Sequence, residues 1–212
     1  MKNWSYSRYS TWKKCPALLK FQMEATEPAP SHPAAQRGTD LHAVIEQYLL
    51  GKGKLPLELD YYRPFFDHIR NEGAQPEVPL SVDSEWRPIG WDDPGRWWRG
   101  ILDCVVETED ECYIFDWKTG NEYGDHRDQR EIYAAAKFSH DSEYPEITVI
   151  HVYLDKKQNT VSRFTPEDIP AIQRGWTVRI EEMFNDKRMA PNPGFYCRTC
   201  HFRRDNGGPC HF

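Results

Sequence analysis

The stretch from Gly100 to Gly120, GILDCVVETEDECYIFDWKTG, decides how the rest of the chain is read. Two largely apolar runs, Trp97 to Glu107 and Glu111 to Lys118, flank the polar triplet Thr108–Asp110, which is the pattern of a hairpin. In a hairpin with a short turn, the start of one strand lies beside the end of the next. Asp103 and Asp116 can therefore face each other across the two strands. Two carboxylates so placed suit a hard divalent cation, Mg2+ or Mn2+, which takes oxygen ligands. Asp116 and Lys118 are two apart on a strand, so their side chains share a face. An ammonium there can ease deprotonation of an attacking water and neutralise charge building on a phosphate. A bare D-x-K triplet is also a common surface ion pair, and the triplet alone leaves both readings open. The setting favours the first: Gly100 precedes Asp103, Tyr113 to Phe115 lead into Asp116, and Thr119-Gly120 close the strand.

Working outward, Ser5 to Met23 reads as a loop entering a helix, with Ser10 or Thr11 as its cap. Pro28 to Pro33 is a break. Gly38 to Leu50 has the apolar stripe of a helix in Leu41, Val44, Ile45, Tyr48 and Leu49, closed by Gly51 and Gly53. Tyr61 to Asn71 reads as another helix and Pro79 to Pro88 as the first strand. Beyond the hairpin come a helix over Arg127 to Phe138, strands at Glu146 to Leu154 and Val161 to Phe164, and an amphipathic helix over Pro166 to Asn185. The coarse order is α, α, β, β, β, α, β, β, α, followed by a Gly/Pro/Cys-rich tail from Pro191 to Phe212. Helices and strands mix around one sheet, so the class is α/β or α+β.

The chain has 212 residues, 39% hydrophobic, which suits one domain with a real core. Its formal charge of −6 does not announce a nucleic-acid binder. A local basic groove can nevertheless coexist with an acidic total, and basic residues cluster at Arg96–Arg99, Arg127–Arg130 and Arg203–Arg204. No run approaches the roughly 18 apolar residues of a membrane span, and Met1 to Cys15 lacks the apolar core of a signal peptide. A soluble intracellular (cytoplasmic) protein is expected. In that setting six cysteines point to metal or redox chemistry before disulfides.

The pattern G-x-x-D, an apolar strand, then D-x-K-T-G resembles the RecB-type branch of the PD-(D/E)XK nucleases. Three further segments are similar to that family. Arg37-Gly-Thr-Asp-Leu-His42-Ala-Val-Ile-Glu46 resembles its first motif, a helix whose histidine binds metal. Gln129-Arg-Glu-Ile-Tyr133 resembles its Q-x-x-x-Y motif, and Ser7 to Pro16 the opening that carries the first cysteine of the cluster-bearing members. The resemblance spans nearly the whole chain, and the order and spacing of the segments make it specific. It implies a single PD-(D/E)XK domain over residues 1–212, a central mixed sheet flanked by helices. Residues 1–36 would bring one cluster cysteine, and the tail, residues 191–212, would pack back on them.

The resemblance also implies an Mg2+- or Mn2+-dependent deoxyribonuclease, an exonuclease on single-stranded DNA or DNA ends. Recombination, repair or replication is the expected setting, with proteins of those processes as partners. The small size suits a stand-alone, phage-encoded enzyme. His42, Asp103, Asp116 and the Trp117 carbonyl would hold metal, and Lys118 would help to activate water. Gln129 and Tyr133 would bond DNA phosphates or orient Lys118. His42 read without the motif is an ordinary helix histidine, and Glu46, one turn on, is either beside the metal or solvated. Glu85 reads as a solvated or groove residue. Competing functions are a nucleic-acid-binding module that does not cut, and an iron–sulfur redox or transfer protein.

Cys197-x-x-Cys200, then Cys210, suits a loop wrapped around a metal, with Cys15 as a distant fourth ligand. This resembles the 4Fe–4S arrangement of AddB-like and CRISPR-associated nucleases, one early and three late cysteines. The gap from Cys200 to Cys210 is longer than in that pattern, and His201 and His211 are near. Zn2+ on Cys197, Cys200 and Cys210 with Cys15 or His211 is therefore the alternative, and free thiols the third reading. Cys104 and Cys112 read as buried core.

Overall fold

The computed structural model describes residues 3–27, 29, 32–120 and 126–212. Helices α1 (Tyr6–Lys14), α2 (Pro16–Glu24) and α3 (Pro33–Leu49) come first, then a 3-10 turn over Leu57–Tyr62 that runs into α4 (Arg63–Asn71). Strands β1 (Gln75–Val82), β2 (Trp98–Glu107) and β3 (Cys112–Lys118) follow. Helix α5 (Arg127–His140), strands β4 (Ile147–Tyr153) and β5 (Gln158–Phe164) and helix α6 (Ile169–Asn185) complete the core.

The single N-terminal helix expected from the sequence is two helices. Cys15 precedes Pro16 and is held extended (φ −160°), as a residue before proline must be. Proline then opens α2. The cap is Ser5, whose Oγ accepts the Arg8 N–H at 3.4 Å, and not Ser10 or Thr11, which lie inside α1. Helix α3 starts ahead of Gly38 because Pro33 fits a first helical turn. The break expected over Pro28–Pro33 lies partly outside the described residues. Strand β1 also starts earlier than Pro79, at Gln75, and ends at Val82; beyond it only Pro88 bridges back to Val82.

The sheet order is β1-β2-β3-β4-β5, antiparallel throughout except for the parallel β3–β4 pair. A parallel pair needs a crossover, and α5 supplies it. One face of the sheet buries Trp98, Leu102, Ile114 and Val149 with Tyr9, Ile132 and Trp176 from α1, α5 and α6. The other buries Cys104, Phe115 and Trp117 against Ile45 and Leu49 of α3 and Phe66 of α4. Cys104 and Cys112 are core residues, as expected.

The sheet forks at one point. The β2–β3 ladder stops at Cys104 opposite Phe115, whereas β2 stays paired with β1 as far as Trp98 opposite Val82. The N-terminal segment takes the place that β3 gives up: Trp4 N–H donates to Trp97 O at 2.8 Å, and Arg99 N–H to Trp4 O at 3.2 Å. Asp103 and Asp116 stand where the fork opens. No helix among the described residues is long and apolar enough to cross a membrane.

Candidate active site

Asp103 is the first β2 residue beyond the β2–β3 ladder, and its Oδ2 accepts the Trp117 N–H at 2.8 Å. His42 comes from α3. Its Nδ1 lies 3.3 Å from Asp103 Oδ2, and its Nε2 faces the Trp117 carbonyl at 2.7 Å. A carbonyl only accepts, so Nε2 carries the proton. Burial lowers the His42 pKa, but the Asp103 hydrogen bond and charge outweigh it and leave it raised.

The third member is Glu77 on β1. Ligand atoms of His42, Glu77 and Asp103 lie within 4.8 Å of one another, the only such group among the described residues. Glu77 sits between the register pairs Pro76–Cys104 and Val78–Leu102, opposite Asp103. Its backbone is in the left-handed region (φ 55°), unusual for a residue with a side chain. Burial and the charges of Asp103 and Glu46 push its carboxyl up. A nitrogen and two carboxylates, with a carbonyl oxygen alongside, fit a divalent cation, and the imidazole suits Mn2+ better than Mg2+.

Asp116 stands beside this cluster, not within it. It is 2% exposed. Burial alone would raise its pKa, but the Lys118 ammonium, 2.6 Å from Oδ2, holds it below the usual carboxylate range. Asp103 moves the other way, pushed up by burial and by the Asp116 charge. Gln129 of α5 ties the group together. Its Oε1 accepts from Lys118 Nζ at 2.8 Å, and its Nε2 donates to Asp116 Oδ1 at 3.1 Å and to Tyr133 Oη at 2.8 Å. The Tyr133 hydroxyl is fully buried by its neighbours, which pushes its pKa well above the normal value, so it stays protonated.

His151 on β4 pairs in register with Asp116 and is 0% exposed. Burial pushes its pKa down to about 3, leaving a neutral ring with Nε2 3.9 Å from Asp116 Oδ2. Glu85 is exposed and ion-paired with Arg87 at 3.0 Å, outside the cluster. Sequence reasoning missed Glu77 and His151. His151 was legible as the one titratable imidazole in a mostly apolar strand, Ile147 to Tyr153.

Cys15, Cys197, Cys200 and Cys210 line one pocket with Phe21, Pro191 and Tyr196. Neither His201 nor His211 is among its lining residues. Backbone donors already point at two of the sulfurs: Asn192 N–H at Cys15 Sγ and Gly194 N–H at Cys197 Sγ, both 3.4 Å. Tyr196 Oη and Asn192 Nδ2 donate to Lys14 O at 2.7 and 2.9 Å, which fastens the tail to the end of α1. The long Cys200–Cys210 gap is taken up by a loop that doubles back. Gly208 N–H donates to Arg203 O at 3.0 Å, and Cys210 N–H to Phe202 O at 2.9 Å. A Cβ at Gly208 would lie 2.3 Å from the Phe202 backbone, so only glycine fits there.

A family model for the PD-(D/E)XK nuclease superfamily matches residues 74–204. Among solved structures the chain is similar to SSO0001, with 17% identity, TM-score 0.51, and coverage of 95% of this chain and 84% of that one. It is also similar to a "Putative exonuclease" from Eubacterium rectale, with 12% identity, TM-score 0.56, and coverage of 95% and 88%. At these identities the two structures speak for the fold. No curated protein matches the chain.

Proposed function

The chain belongs to the PD-(D/E)XK nuclease superfamily, and from that premise we propose that it is an Mg2+- or Mn2+-dependent deoxyribonuclease of the RecB type. Its substrate is single-stranded DNA or DNA ends, which it degrades as an exonuclease. One observation carries the reading: the ligand atoms of His42, Glu77 and Asp103 converge within 4.8 Å, and Lys118 is held beside them by Asp116 and Gln129.

His42, Glu77 and Asp103 would hold the cation, with the Trp117 carbonyl oxygen and Asp116 in reach of its surroundings. A bound divalent cation supplies Lewis acidity and charge neutralisation at the phosphate. Lys118 is fixed by two acceptors, so its remaining N–H is aimed without further entropy cost at the water or the phosphate oxygen. Gln129 and Asp116 orient Lys118, and buried, neutral His151 backs Asp116 without adding charge.

The cysteine pocket is the site of a 4Fe–4S cluster on Cys15, Cys197, Cys200 and Cys210. The four cysteines that line the pocket match in number the thiolates of a cluster that carries one on each of its irons. Iron and sulfide analysis should return about four of each per chain; stoichiometric zinc instead would reverse the assignment.

The decisive test is end-labelled single-stranded and duplex DNA incubated with Mg2+ or Mn2+ beside a Lys118→Ala variant. Metal-dependent cutting that the variant loses supports the nuclease, and the product ladder shows whether it works from an end. Binding without cutting in either metal, with the cysteine site loaded, would make the chain a binding module.

A further inference from the structure

The fork in the sheet opens a cleft of about 380 Å3 next to the catalytic lysine, within the size range of ligand sites. Gln129 and Tyr133 form its inner wall, and Gln129 is the residue that accepts from Lys118 Nζ at 2.8 Å. Its floor is β2 at Gly100 and Ile101. Ile101 is 42% exposed, a large apolar side chain left uncovered on a strand. Gly100 packs on the Trp98 ring so closely that a Cβ there would lie 2.6 Å from it. The N-terminal segment, seated in the fork through Trp4, delivers Ser5, Tyr6 and Ser7 to one side. On the other side stand Trp91 and Arg99, the guanidinium 5.1 Å from the indole centre.

The chemistry of this lining is selective. The chain has 33 acidic residues among 212, yet none lines the cleft, and its one charged side chain is Arg99. Among the described residues Arg99 pairs with no carboxylate; its partner is the Trp91 ring. Burial pushes the Tyr6 phenol up to about 12, so it remains a hydroxyl donor. An aromatic platform, an arginine, hydroxyl donors and a bare apolar strand surface are what a nucleotide of an unpaired strand needs: stacking for the base, donors for the phosphate, apolar contact for the sugar. A paired base could not lay its face on an indole without leaving its stack.

We propose that this cleft holds one nucleotide of a single DNA strand adjoining the scissile phosphate, its base against the Trp91–Arg99 pair and its phosphate among Arg99, Tyr6 and Ser7. The site gives the enzyme its preference for unpaired DNA. The proposal rests on the nuclease reading, because the cleft is placed relative to Lys118.

Binding, measured apart from cutting, tests it. The probe is a fluorescein-labelled single-stranded oligonucleotide, and a set of oligonucleotides each lacking one base at a different position, titrated into the full-length Lys118→Ala protein by fluorescence anisotropy. Loss of the base that sits on Trp91 should weaken binding about tenfold. In a Trp91→Ala, Lys118→Ala protein that position should no longer matter, whereas Trp91→Phe should keep most of the effect. Arg99→Gln should reduce the slope of log affinity against log salt by about one phosphate contact. Trp91 lies half-buried in a loop, and unchanged thermal unfolding of the variants shows that the fold is intact. Equal penalties at every abasic position with and without Trp91, or no single-strand binding at all, would overturn the proposal. The nuclease reading fails separately, if protein with Lys118 intact cuts no DNA in either metal.

Discussion

The Gln129 side chain has one acceptor and two donor hydrogens, and the structure uses all three: Lys118, Asp116 and Tyr133. An amide is the one neutral group that can accept from an ammonium and donate to a carboxylate from the same plane. Gln129→Ala should therefore free Lys118 and Asp116 together, and a cut of about 10–100-fold in single-turnover cleavage is expected, the scale of lost orienting contacts at a metal site. Tyr133→Phe removes the acceptor for Gln129 Nε2 and the hydroxyl's own hydrogen bond to Asp116, but leaves the Lys118 contact in place, and should cost less than about tenfold. Equal losses in the two variants would mean that Tyr133 touches the substrate itself. Glu77→Gln keeps the size and removes a ligand charge; the Mn2+ concentration for half-maximal cleavage should rise by at least about tenfold, and no change would exclude Glu77 from the metal site. Asp103, Asp116 and Lys118 were readable because strand parity is local: two residues apart means one face. Glu77 was not, because its membership depends on where β1 begins. Reading the strand from Pro79 left Glu77 outside it and brought Glu85 inside, and the left-handed backbone at Glu77 has no mark in a one-dimensional pattern.

The elements were legible where periodicity decides them and missed where proline chemistry does. The hairpin, α5 and β4 stand within a residue or two of the sequence reading; α1 and α2 do not, since the break at Cys15 follows from Pro16 and not from any change in apolar spacing. Two contacts, one within a strand and one between elements, hold the site in shape. Gly100 leaves room for the ring of Trp98, two residues earlier on the same strand, which is fully buried. Gly100→Ala should cost about 1–3 kcal/mol by overpacking and lower the melting temperature by about 2–4 °C per kcal/mol; an unchanged melting curve would show that β2 shifts freely. Asp155 clamps the start of α3 to the end of β3, taking the Arg37 guanidinium at 2.9 Å and the Gly120 N–H at 2.6 Å. The Arg37 hydrogen bond holds its carboxyl below the usual range. A depressed carboxylate stabilises the fold above its unfolded pKa of about 3.9, and that stability is lost as pH falls through the lower folded value. Asp155→Asn should thus destabilise by about 1 kcal/mol at neutral pH, and the gap between variant and wild type should close below about pH 4 in pH-dependent unfolding. A constant gap would mean that shape, not charge, makes the clamp.

At the scale of the molecule, the sheet and the cysteine pocket solve different problems. The sheet carries the carboxylates and the lysine; the pocket joins the α1–α2 junction to residues 191–212, far apart in sequence. That junction matters to the site because the same N-terminal segment fills the fork through Trp4 and presents Tyr6 to the cleft. The residues of the pocket were legible in the sequence, but the doubled-back loop that absorbs the long Cys200–Cys210 gap was not, since it depends on the contact of Gly208 with Phe202. A cross-link closing so long a loop is worth about 2–5 kcal/mol, chiefly through the unfolded chain. Cys197→Ser, or chelation of the bound metal, should therefore lower the melting temperature by several degrees. It should also open the tail beyond Pro191 to limited proteolysis. The carboxylates and Lys118 sit in the sheet, so single-turnover cleavage of a short single strand should survive at low temperature. Affinity for longer single strands should fall as the N-terminal segment loosens in the fork. Loss of cleavage on the short strand while the sheet stays folded by circular dichroism would place the pocket in the chemistry and not in the scaffold that carries it.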